Sequence, residues 1–275
     1  MVAGIGRKDP NFRRRAIACF IEAVYLLERD RQEKRTEKNR RAPTWWKAFH
    51  YKLTQTLVDD KDGSIIGAIL EWDKCAALSD LRLRGGAPKA VLALRGTLLK
   101  GQTFKGDLKE DMRFATVQSH SLGAAFAFQV GKALAKNGVF VETHLFNPPC
   151  VSLPIILRII AEEARDASKK FEGKFSSNLP NGEGSKACVA LKNWALHLYV
   201  NEGDLICSHY TVSAGTSDAQ AHIGAKVFVI SKDEQKFCEA HRLKQWWYDE
   251  QLQPQIHNSK ILYSQLKSLC RTAPR

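Results

Sequence analysis

Apolar positions come in two rhythms along this chain, one helical and one strand-like. Ile17, Phe20, Ile21, Val24 and Leu27 recur three and four residues apart, which predicts an amphipathic helix over 16–29. The run that follows, RDRQEKRTEKNRRAP (29–43), has no apolar anchors and ends in proline, so it reads as a solvated extension or loop. TWWKAFHYKLTQTLV (44–58) reads as a second helix opened by Thr44 as N-cap. SIIGAILEW (64–72) and AVLALRGT (90–97) are short apolar runs expected as strands, with a Gly/Pro loop, RGGAPK, between them at 84–89. LGAAFAFQVGKALAKNG, from Leu122, carries small and apolar residues at helical spacing and stops at Asn137-Gly138.

Beyond it, VFVETHLF (139–146) reads as a strand closed by Asn147-Pro148-Pro149, and LPIILRIIAEEARDASKKF as a helix with Pro154 in its first turn. A Ser/Asn/Gly/Pro loop fills 176–185, then WALHLYV (194–200) and AKVFVIS (225–231) supply two more strands. From about 254 the chain is polar without a strong pattern. Short apolar strands alternating with helices predict an α/β fold: a mainly parallel sheet with helices on both faces.

The stretch TVQSHSLGAAFAF (116–128) raises the question of chemistry, because Ser121 stands between a predicted strand and a predicted helix. A serine nucleophile on such a turn needs small neighbours, since backbone segments approach closely there. Gly123 meets that need, but the position two before the serine is Ser119 rather than glycine, and a tight elbow without room for it would be strained by about 1–3 kcal/mol. The pentapeptide alone divides evenly between a nucleophile and a helix-capping serine. Chain order tips the balance: in hydrolases of this architecture the acid and then the base follow the nucleophile, on loops after later strands. Asp204 lies four residues past the strand at 194–200, and His241 ten past the strand at 225–231. His241 would take the proton of Ser121 and Asp204 would orient its imidazole. Backbone N–H groups of Leu122 and Thr97 are the expected oxyanion donors. A turn residue for Asp204, a helix-start residue for His241 and a strand-ending turn at Thr97 are the competing structural readings.

VLALRGTLLKG, HSLGAAFAFQVGKALAKNGVFVETHLFNPP, NEGDLICSHY and EAHRLKQWW, with VYLLERDRQ and PTWWKAFHYKL nearer the N-terminus, resemble plant lipase class 3-like α/β-hydrolases. That group is often labelled GDSL esterase/lipase, although no G-D-S-L string occurs here. The resemblance covers most of residues 20–250. It implies an α/β-hydrolase fold over 44–253, preceded by a basic helix and charged loop (1–43) and followed by a tail (254–275). It further implies Ser121, Asp204 and His241 as catalytic triad, Thr97 and Leu122 as oxyanion donors, and lipid or other carboxylic esters as substrates.

One interval departs from the family. Between the RGT strand and Ser121 the chain offers only LLKGQTFKGDLKEDMRFATVQS (98–119), barely enough for a parallel crossover, which needs about ten to twelve residues including its helix, and for the strand that follows. FATVQ is also a poor match to the apolar strand expected at the centre of a parallel sheet. Two readings of the interval stand: a hydrolase with a shortened central strand at 114–118 and a reduced lid, or a truncated chain that folds poorly or is a relative without activity; a binding or scaffold protein using a hydrolase-like pocket is a reading of a different class.

Charge and cysteines change this picture little. Net charge is +13, but the first 41 residues hold twelve Lys/Arg against six Asp/Glu, so almost half the excess sits in one segment. With no nucleic-acid motif beside it, this reads as a solvated basic surface, capable at most of weak contact with anionic membranes; a nucleic-acid partner is not expected. The seven cysteines contain no CxxC pair, so no metal site is expected, and no residue pattern implies an organic cofactor. The odd count and the lack of an apolar leader point to reduced thiols and a cytoplasmic location.

Overall fold

The computed structural model of the chain describes residues 10–60, 62–77, 88–96, 116–121, 123–149, 191, 193–204, 207, 210, 222–232 and 235–262. Among these residues eight strands form a single mixed sheet in sequential order: β1 (Tyr51–Val58), β2 (Ile65–Trp72), β3 (Ala90–Leu94), β4 (Thr116–His120), β5 (Glu142–Phe146), β6 (Leu196–Asn201), β7 (His222–Ile230) and β8 (Gln255–Leu262). The pairs from β3 through β7 are parallel; β1, β2 and β8 add antiparallel edges. The chain is therefore of the α/β class.

Alternation along the strands sorts side chains to two faces. Leu92, Leu94, Val117, Leu145, Leu196 and Leu198 face one layer, which holds the helix α4 (Gly123–Lys136). Val91 and Ala93 face the other and cluster with Phe20, Val24 and Leu27 of α1 (Pro10–Gln32). On that same side Phe146, Tyr199 and Ile230 join Ile17 and Ile21 of α1, together with Trp246 of the short helix α6 (Lys244–Tyr248). Three small α-helices, α2 (Pro43–Lys47), α3 (Lys74–Ala77) and α5 (Phe237–Ala240), and a 3-10 turn at Glu37–Asn39 also lie among the described residues.

The first helix is longer than its apolar stripe predicts, running from Pro10 to Gln32. Arg14 extends the buried face; it is 2% exposed and donates to the carbonyls of Trp246, Asp249 and Leu252. The charged run after it is not simply solvated. Buried Asp30 accepts from the Arg41 and Ala42 amides and from Arg35, which folds the segment back on the helix. Arg14 and Arg35 are thus committed to internal contacts.

Three sequence expectations are corrected. The helix expected over 44–58 is confined to α2, and 51–58 is strand β1. Tyr51, Leu53, Gln55 and Leu57 alternate with Lys52, Thr54, Thr56 and Val58, a period-two pattern rich in β-branched residues. Asp62-Gly63, with Gly63 at φ 69°, supplies the hairpin to β2. The polar stretch from 254 contains β8, paired to β7 from His222–Leu262 to Val229–Gln255. The central strand lies at 116–120, two residues later than expected, and is buried throughout. It pairs with β3 on one side and β5 on the other. The expected helix after Pro154, the 176–185 loop and nearly all of the 98–119 interval ahead of β4 lie outside the described residues. Among the described residues no helix is long and apolar enough to cross a membrane.

Candidate active site

The parallel strands β4, β5, β6 and β7 all end on one edge of the sheet, so the segments that leave them converge there. Ser121 follows β4, Asn147 follows β5, Asp204 lies just past β6, and His241 follows β7 by way of α5. Ligand sites in open α/β sheets lie along this carboxyl edge.

Ser121 occupies a strained turn. Its φ is 54°, left-handed backbone that L-residues other than glycine and asparagine seldom adopt, at a cost of about 1–2 kcal/mol. The turn is held by the Ser121 amide donating to Phe146 O and by the Ala124 amide donating to Ser121 O. A Cβ added at Gly123 would lie 2.4 Å from Ser119 Oγ and 2.5 Å from Arg95 O, so only glycine fits there. Ser119 itself is accommodated: it is fully buried, and its hydroxyl donates to Leu94 O at 2.9 Å. The helix α4 begins two residues past Ser121, so its positive end faces the hydroxyl.

Ser121, His241 and Asp204 come together in a line. The Ser121 hydroxyl stands 2.8 Å from His241 Nε2, and His241 Nδ1 donates to Asp204 Oδ2 at 2.7 Å. The Asp204 side chain is fully buried, while that of His241 is 21% exposed. Burial by itself would raise the Asp204 carboxyl. The bonds from His241, from Asn147 Nδ2 (2.7 Å) and from Cys207 Sγ (3.1 Å) outweigh it and hold the pKa below the ordinary aspartate value. Burial foremost, and then the neighbouring Asp204 charge, push the Cys207 thiol up, which keeps it a donor.

Asn147, Cys207 and Trp246 belong to this site although the sequence did not single them out for it. Asn147, at φ 45°, donates also to Ala240 O at 3.1 Å and accepts from the Trp246 indole at 2.6 Å. The peptide that leads into His241 is thereby tied to the acid. The available signal was positional: an asparagine directly after the strand beside β4, where left-handed backbone is tolerated. Thr97 and Leu122 lie outside the described residues. A cavity of about 500 Å³ adjoins the histidine, lined by Tyr25, Leu26, Arg95, His120, His241 and Leu243 among others, a size suited to small ligands.

A buried carboxylate, an imidazole and a serine hydroxyl stand in one hydrogen-bonded line, with the serine on a strand-to-helix turn of an α/β sheet; chemically, such a line can activate the hydroxyl as a nucleophile. No protein-family model matches the sequence. A GDSL esterase/lipase of Arabidopsis thaliana is similar to it, 26% identical over an alignment of 318 positions that takes in 88% of this chain and 90% of the relative. Since 88% of 275 residues is about 240, the relative carries several tens of residues with no counterpart here.

Proposed function

We propose that this chain is a serine hydrolase of carboxylic esters, with Ser121 as nucleophile, His241 as general base and acid, and Asp204 as its buried partner. The observation that carries the reading is the bridging position of His241, within 2.8 Å of Ser121 Oγ and 2.7 Å of Asp204 Oδ2. The similarity to a protein named esterase/lipase supports the same bond type. In the first half-reaction Ser121 Oγ bonds to the acyl carbon while its proton passes to His241 Nε2. Asp204 stabilises the imidazolium, and the carbonyl oxygen becomes an oxyanion that the Thr97 and Leu122 amides are assigned to hold. Collapse releases the alcohol, which leaves with the proton from His241. Water then attacks the acyl-enzyme with His241 again as base, and the carboxylic acid departs.

The substrate class is lipid or other acyl esters within an α/β-hydrolase fold. The cavity beside His241 is assigned to the polar part of the ester, because most of the residues that line it, Arg95 and Glu22 among them, are charged or polar. A second reading, a shortened relative that binds without turnover, is favoured by the residues present in the Arabidopsis protein and lacking here. Hydrolysis of p-nitrophenyl butyrate by the chain and by Ser121→Ala separates the two. The hydrolase requires a loss of at least about a thousandfold in the variant, with both samples melting cooperatively. Equal rates from two folded samples would leave the binding reading.

A further inference from the structure

The residue before the nucleophile, His120, is buried in the central strand, where an imidazole needs partners on both nitrogens or is costly. It has both. Nε2 lies 2.8 Å from His241 O, and a carbonyl only accepts, so Nε2 carries the proton. Nδ1 of the neutral ring is then an acceptor, and the Tyr25 hydroxyl donates to it at 2.9 Å. The Tyr25 oxygen in turn accepts from the Gly96 amide at 2.7 Å. Burial foremost holds His120 down to about 4, so the ring stays in the form this chain requires at neutral pH.

The hydrogen bonds therefore run in one direction, Gly96 to Tyr25 to His120 to His241, with every donor matched to an acceptor. Both ends abut the reaction centre. Gly96 packs so closely that an added Cβ would lie 2.7 Å from Tyr25 Oη and 3.0 Å from Ser121 Cβ. It is also the residue directly before Thr97, the proposed oxyanion donor. The other end is the main-chain carbonyl of the proposed base.

We infer that Tyr25 and His120 are positioning residues of the ester-cleaving site, a relay from helix α1 that sets the end of β3 and the backbone of His241 in register with Ser121. This rests on the serine-hydrolase reading and adds to it that the N-terminal helix is part of the machinery. Removing one link costs the geometry of the transition state more than ground-state binding, so the effect belongs in kcat.

The experiment compares the full chain with Tyr25→Phe, His120→Gln, the double variant and Ser121→Ala on p-nitrophenyl butyrate, with thermal melts of each. Each single variant is expected to lose about tenfold in kcat, the factor set by one neutral hydrogen bond of ordinary net strength, with KM within twofold of the parent. Because both act through one chain, the double variant is expected to fall no further than about twofold below the poorer single. Unchanged kcat in Tyr25→Phe, an effect confined to KM, or a multiplicative loss of about a hundredfold in the double would each overturn the relay. If one single variant loses its cooperative melt, the other carries the comparison at the same threshold; if both do, the two residues are structural and the inference falls. Turnover that depends on Ser121 but ignores Tyr25 removes only the relay, whereas a parent without Ser121-dependent turnover removes the hydrolase reading and the relay with it.

Discussion

Asn147→Ala should cost this protein about a third or more of its stability, because a single side chain closes three buried connections. The bond from Nδ2 to the Asp204 carboxylate is short and charge-assisted, worth about 1.5–3 kcal/mol. The bond to Ala240 O is an ordinary neutral one, worth about 1 kcal/mol. Truncation would also strand the indole N–H of Trp246, which is fully buried and donates to Asn147 Oδ1, at about 1–3 kcal/mol. Alanine is less at ease than asparagine at φ 45°, which adds a little more. A loss of about 5 kcal/mol follows, against the 5–15 kcal/mol typical of a folded domain. With a urea dependence of about 3 kcal/mol per molar for a chain of this size, the unfolding midpoint falls by about 1.7 M. Equilibrium unfolding at pH 7, followed by tryptophan fluorescence, reads this directly. A loss under about 1 kcal/mol would refute the reasoning, since it would mean that acid, strand end and α6 are not joined through this residue.

Further expectations follow from buried polar groups elsewhere. Gln118 is fully buried in β4 and neither amide atom has a hydrogen-bond partner; Gln118→Met keeps the shape and should stabilise by about 1–2 kcal/mol, seen as a melting point a few degrees higher. His120 has a folded pKa of about 4, below that of the unfolded chain, so the unfolded state binds more protons between the two values. The stability involved is present above pH 6.5 and is lost as pH falls toward 4. It amounts to about 3 kcal/mol, and His197, pushed down to about 2, acts in the same sense. Urea midpoints at pH 7, 5.5 and 4.5 should show this slope in the parent and a shallower one in His120→Gln. Brief labelling of the folded protein with iodoacetamide at pH 8 should modify exposed Cys75 and leave Cys207 untouched by peptide mapping, because burial keeps that thiol protonated. Fast modification of Cys207 would show that its contact with Asp204 does not persist.

Much of the fold was legible where burial is two-sided or helical. The α1 stripe, β2, β3, β5, β6, β7 and α4 all lie where apolar periodicity put them, within a few residues. The failures have particular causes. In β1 Thr44, read as an N-cap, led to one helix through 58, but the chain turns at His50, φ 59°, and the alternation beyond it is that of a strand. In β8 the side chains from Gln255 to His257 are exposed, so the pairing to β7 lies in the backbone and leaves no apolar trace. In β4 the strand carries Thr116, Gln118, Ser119 and His120, all buried, which is the reverse of the apolar run expected at the centre of a parallel sheet.

That last failure explains why the site is easier to find by its surroundings than by its letters. Ser119 looked like a defect in the elbow, yet its hydroxyl occupies the space that a side chain at 123 would need, and its proton goes to Leu94 O. The steric demand of the turn has therefore settled on Gly123 and Gly96, beside Ser121, where an added Cβ would lie 2.5 Å from Arg95 O and 2.8 Å from His120 O respectively. His120 departs from an apolar strand for a second reason: it is polar because it links Tyr25 to His241, not because the strand is exposed. In this strand the hydrogen-bonding side chains are used at the end that borders the site, by Ser119 and His120. Thr116 and Gln118, buried in the same strand with the Thr116 hydroxyl and both Gln118 amide atoms unpartnered, have no such use, and replacing Gln118 by methionine measures what one of them costs.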